Sequence, residues 1–106
     1  MAFTAASLAD GQMAASEGSL YVSTGVKAIV KHAHLRNAGA TTETVIVYLK
    51  RSGGTSRQIF KGTLAPGEGV DLLTGGVVLV MSDGDDIRGE TTTATTVDYT
   101  ITGATE

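Results

Sequence analysis

The chain has 106 residues and a mass of 10.8 kDa, enough for one compact domain that buries about two-thirds of its unfolded surface. It has no cysteine and no tryptophan, which excludes a disulfide framework, a thiolate metal site and a cysteine nucleophile. Its formal net charge of −3 argues against binding by phosphate neutralisation, so no nucleic-acid partner is expected. The longest apolar stretch, Val77–Met81, falls far short of the roughly 20 residues a spanning helix needs, and no membrane partner is expected. The segment Met1–Leu8 has no basic lead and does not read as a cleaved signal peptide; synthesis in a cytoplasm is the expectation.

Residues 1–17 are rich in Ala and Ser, with Leu8 and Met13 as isolated apolar anchors. They read as an extended arm or a loose first strand, preceding a single domain over residues 18–106; a short helix around Leu8–Glu17, ended by Gly18, is the alternative that Ala favours and Gly11 opposes. Beyond the arm, Thr and Val are abundant and glycines cluster between the runs they form. Branching at Cβ suits an extended backbone, and glycine supplies the positive φ that turns demand.

Ser19–Ser23 is a short strand, with Leu20 and Val22 on one face, followed by a turn at Thr24-Gly25. Val26–Asn37 is the longest strand, but its alternation slips. Ile29, Ala33 and Leu35 share one parity, interrupted by Lys31, while Val26, Ala28, Val30, His32 and His34 share the other. A β-bulge near Val30–Lys31 reconciles the two, because one extra residue inverts side-chain parity. Thr44–Lys50 reads as a central strand covered on both faces. Ser52-Gly53-Gly54-Thr55 is a hairpin loop returning into Arg57–Leu64, with Ile59 inward and Arg57 and Lys61 outward.

Ala65-Pro66-Gly67-Glu68-Gly69 is a tight turn, since Pro66 presets φ at its first central position. Val70–Leu73 is a short strand broken by Thr74-Gly75-Gly76. Val77–Met81 follows, then the turn Ser82–Asp86, a strand beginning at Ile87–Glu90, and a last strand Thr96–Gly103 with Val97, Tyr99 and Ile101 inward. Seven to eight short antiparallel strands predict an all-β fold, a two-sheet sandwich of jelly-roll-like form.

The residues that could carry chemistry are few. His32 and His34, at i and i+2, point the same way from one strand. They form a two-point clip without a third ligand nearby in sequence, whereas zinc needs three or four; no metal or cofactor is expected. Asp83, Asp85 and Asp86 offer calcium-type oxygens without the spaced ligands and closing glutamate of an EF-hand loop. Asp71, Glu68 and Glu90 show no cleft between them, no Gly-x-Ser-x-Gly elbow exists, and no loop is long enough to build a substrate wall. Catalysis is not expected.

The series Leu8-Ala9-Asp10-Gly11-Gln12, Leu20-Tyr21, Ala28-Ile29-Val30-Lys31, Asn37 with Gly39-Ala40-Thr41, and Val45 to Leu49 opens a distinctive order of turns and strands. It continues through Ser52 to Arg57, Leu64-Ala65-Pro66-Gly67-Glu68, Gly84 to Gly89 and Val97 to Gly103. The whole resembles a group of small β-sandwich virion proteins of tailed bacteriophages and prophages. The resemblance covers nearly the entire chain and implies a virion structural component: a capsid decoration or cement subunit, or a piece of neck, tail or fibre. It brings no catalytic residues.

A role of this kind leads to expectations for particular residues. The apolar stretch from Phe3 to Met13 has little to bury against in a minimal sandwich, so Phe3, Leu8 and Met13 are candidate contacts with a neighbouring subunit or shell protein. His32 and His34 are candidate interface residues. Homotrimerisation would cover the Thr-rich last strand if it were an open edge, and deletion of residues 2–14 should leave the sandwich folded. A host-glycan-binding module is the reading from another class; it needs exposed aromatics, whereas Tyr21, Tyr48 and Tyr99 occupy strand positions expected to be packed.

Overall fold

A computed structural model describes residues 4–73 and 78–106. Within them the chain forms nine strands and no helix: β1 (Thr4–Gln12), β2 (Gly18–Val22), β3 (Ala28–Asn37), β4 (Glu43–Lys50), β5 (Arg57–Leu64), β6 (Gly69–Asp71), β7 (Leu79–Met81), β8 (Asp86–Thr91) and β9 (Val97–Thr105). All pairings are antiparallel. The first sheet runs β1-β9-β3-β6, with β7 pairing the other end of β3, and the second runs β2-β8-β4-β5. Because β6 and β7 share one side of β3, they act as one interrupted rung. The chain then reads as eight rungs in two four-rung sheets, crossing between sheets after β1, β2, β3, β5, β7 and β8, which is jelly-roll topology.

Of the readings of the N-terminal segment, the first strand is the one the chain adopts, and not an arm free to reach a neighbour. Residues 4–12 are an edge strand of the chain's own first sheet, paired with β9 from Thr4↔Thr105 to Gln12↔Asp98. The alternation there is hidden by a bulge: the register shifts between Ser7 and Ala9, so Leu8 is the extra residue and packs with Ala9 against the core. Met13 is fully buried. Its N–H donates to Val97 O at 2.8 Å, and its carbonyl accepts from Thr95 N–H at 3.1 Å. With β1 on its outer side, β9 is an interior strand rather than an open edge.

Bulges also govern β3 and β5. The β3–β9 register shifts between Val30 and His32, leaving Lys31 unpaired, as the parity slip predicts. The bulge turns Ala28, Val30, Ala33 and Leu35 all into the core and leaves His32 and His34 on the outer face. In β5, Val47 pairs with Phe60 and Tyr48 with Gln58, so Ile59 is squeezed out of the ladder. It is 48% exposed, not inward as its sequence neighbours suggest, and Phe60 packs against the core instead. β4 does lie between β8 and β5; Val45 and Val47 are buried, while its other face is half-covered.

The core is filled chiefly by Met13, Val30, Leu35, Val45, Val47, Leu64, Met81, Ile87, Val97 and Ile101. At one end of the sandwich the fully buried Asn37 is completely satisfied. Its Nδ2 donates to Thr41 O (2.7 Å) and Leu64 O (3.0 Å), and its Oδ1 accepts from Gly39 N–H (2.9 Å). Gly67 adopts φ 81° and Glu68 N–H donates to Ala65 O at 2.9 Å, the form that Pro66-Gly67 predicts for a type II turn. The expected break at Thr74-Gly75-Gly76 and the start of a strand at Val77 lie outside the described residues.

Candidate contact surface

The outer face of the first sheet is organised in rows by strand register. At one end Ala5 stands opposite Ala104, Ala104 opposite Ile29, and Ile29 opposite Val80. This is an apolar row across four strands, on which Val80 is 55% exposed and Ala5 is exposed, while Ile29 is half-buried and Ala104 is buried between its neighbours. Val80 is held there through its carbonyl, which accepts from the Arg51 guanidinium at 2.8 Å. The next rows are polar: Ser7, Thr102 and His32, then Asp10, Thr100, His34 and Asp71. The last row is Gln12, Asp98, Arg36 and Gly69, in which Gln12 donates to Asp98 at 3.2 Å. The face thus grades from apolar through imidazole and carboxylate to charged.

In the middle of this face His34 lies directly across the β3–β6 ladder from Asp71. Asp71 Oδ1 is 2.7 Å from both His32 Nε2 and His34 Nδ1. The two rings are nearly parallel, with centroids 6.1 Å apart and planes inclined by 19°. Hydrogen bonds from His34 and then His32 hold the Asp71 carboxyl below the usual carboxylate range. Gly69 makes room for the cluster, since a Cβ there would stand 3.0 Å from His34 Cε1 and 3.1 Å from Nε2. Three ligand-type atoms, one from each of His32, His34 and Asp71, all lie within 4.8 Å of one another.

Some charges of the second sheet are paired within the chain. Arg88 Nε donates to Glu17 (2.7 Å) and Arg88 Nη1 to Asp86 (2.8 Å), and the Tyr48 hydroxyl donates to Glu90. The aspartates weighed for calcium are struts. Asp83 accepts from Gly25 N–H at 2.6 Å, and Asp85 accepts from Ser82 N–H, Ser52 N–H and Arg51. Among the described residues, one surface depression is lined by Thr44, Ile46 and Glu90 and another by Val26, Lys27 and Asp83. Neither contains a histidine.

Of the residues expected at a contact, His32 and His34 are on the exposed outer face. Met13 is not available to a neighbour, because the chain's own two sheets close over it. Leu8 is half-buried against the same core, and Phe3 lies outside the described residues. Asp71, the third member of the histidine cluster, is far along the chain. Its juxtaposition depends on the β3–β6 register, for which spacing along the sequence carries no signal.

No protein-family model matches the chain, and no curated protein matches it in sequence. Among solved structures, a chain from the structure of infectious bursal disease virus Gt strain is similar at TM-score 0.29 and 12% identity, over 97% of this chain and 32% of that one. The present chain thus spans about a third of the length of that one, and a likeness this low carries no argument about role.

Proposed function

We propose that this chain is a non-enzymatic structural subunit of a bacteriophage virion, a capsid decoration or cement protein that self-associates and binds the major shell protein. The observation that carries the reading is the graded outer face of the first sheet, with its apolar row Ala5, Ala104, Ile29 and Val80 beside a polar field. A jelly roll with short connections provides a rigid slab whose exposed apolar surface suits a protein partner. The resemblance of its turn-and-strand series to small virion β-sandwiches points the same way.

The mechanism is linkage. A subunit that binds the closed shell but not its opened form stabilises the closed form in proportion to its occupancy. The proposed assembly is a symmetric homo-oligomer, a trimer in the first instance, placing one face of each copy against the shell or a neighbour. Contact through a sheet face replaces the arm exchange expected from sequence, since residues 4–12 are committed to pairing with β9.

The test is co-sedimentation of the purified chain with capsids of the phage or prophage that encodes it. Wild type should pellet with the shells and Val80→Lys should stay in the supernatant. Equal uptake of both proteins, or of neither, contradicts the reading.

A further inference from the structure

We propose that His32, His34 and Asp71 form a binding site for a divalent late first-row transition metal ion, zinc in the first instance, on the outer face of the first sheet. The inference is independent of any role in a particle.

The donor set has the right chemistry. Two imidazoles and one carboxylate are ligands zinc accepts, and imidazole selects zinc, copper or nickel over calcium and magnesium, which take oxygen cages. The ligand atoms are already gathered: His32 Nε2 and His34 Nδ1 converge on one carboxylate oxygen at 2.7 Å each. Around a zinc ion with bonds of about 2.0–2.2 Å in tetrahedral geometry, ligand atoms stand about 3.3–3.6 Å apart. The two N···O contacts therefore open by about 0.6–0.9 Å on metal entry, and the two ring nitrogens, already within 4.8 Å of each other, settle to the same spacing.

The backbone does the gathering. The bulge at Lys31 resets parity so that His32 and His34 point outward together, and cross-strand pairing sets Asp71 opposite His34. Gly69, next along the outer row of β6, leaves the space the His34 ring occupies. All three side chains are substantially exposed, at 46%, 39% and 46%, so an ion has direct access. Three protein ligands leave a coordination position open to solvent, for water or for a donor on a docked protein.

The geometry specifies which nitrogens bind: Nε2 of His32 and Nδ1 of His34. Isothermal titration of the intact protein with zinc chloride should show one ion per chain and no heat with magnesium or calcium. His32→Ala and Asp71→Asn should each weaken zinc binding by at least about 10-fold, and Gly69→Ala by about 10-fold through displacement of the ring. Circular dichroism checks that each variant remains folded. Nitrogen-15 NMR of the imidazoles should show the protons leaving the two named nitrogens on zinc addition. Zinc binding within about threefold of wild type in the double variant His32→Ala, His34→Ala, binding through the opposite ring nitrogens, or no saturable binding by wild type would each overturn the proposal.

Discussion

The terminal methyl of Met13 lies over the α-carbon of Gly89, where a β-carbon would stand only 2.6 Å from it. The Leu20 side chain closes the same space, 3.0 Å from that position. The residue that follows the first strand is thereby locked onto β8 of the opposite sheet, where Gly89 leaves room for it.

The lock predicts that the N-terminal segment is part of the fold. Met13→Ala should destabilise the protein by about 2–5 kcal/mol, the usual cost of truncating a buried large side chain to alanine. Gly89→Val should cost about 1–3 kcal/mol through overpacking. Removing residues 2–14 should abolish cooperative unfolding instead of leaving a folded sandwich. Urea unfolding followed by circular dichroism checks all three; a truncated chain with an unchanged midpoint would contradict the placement of β1.

Asn37 supports a second prediction. Its side chain satisfies two carbonyls and one N–H at the closed end of the sandwich. Asn37→Ala strips these buried groups of their partners and should cost about 1–3 kcal/mol. Denaturant midpoints for wild type and variant provide the measurement. An unchanged midpoint would mean that water replaces the amide at no cost.

Tyr48 predicts behaviour at alkaline pH. Its hydroxyl donates to Glu90, and that hydrogen bond, followed by burial and the Glu90 charge, pushes the phenol up from 10.0 to about 12. A raised folded-state value means that the contribution to stability is fully present below pH 10 and is lost as pH rises through about 12. Ultraviolet titration of tyrosinate should show a late step near that value, absent in Tyr48→Phe. A Tyr48 that ionises near 10.0 would contradict the contact.

The apolar row, exposed at Ala5 and Val80, predicts self-association. Val80→Lys places a charge where the side chain is 55% exposed, so its effect on stability should stay within about 0.5 kcal/mol. Its effect on assembly should be large. Analytical ultracentrifugation should show an oligomer for wild type and a monomer for the variant; two monomers would remove the row as a self-contact.

Much of this architecture was legible from residue patterns, and the limits have physical causes. The parity slip of β3 exposed its bulge because Lys31 is a charge set among apolar residues. The Pro66-Gly67 turn was legible because both residues restrict φ. The role of β1 was not, because its bulged residue is itself apolar: Leu8 and Ala9 both turn inward, and the segment mimics an unpatterned arm. Ile59 misled for the converse reason, being an apolar residue displaced outward by a bulge. Two of the three members of the histidine cluster, His32 and His34, were visible in the sequence. Asp71 was not, because strand register sets it opposite His34 and no local periodicity encodes that pairing.

The most direct test of the proposed structural role is the copy number of this chain in purified, gradient-banded phage particles, measured by quantitative mass spectrometry against the major shell protein. A decoration or cement subunit should be present at on the order of hundreds of copies, in fixed ratio to the shell protein, as lattice symmetry requires. Its absence from intact particles would contradict a structural role in the virion.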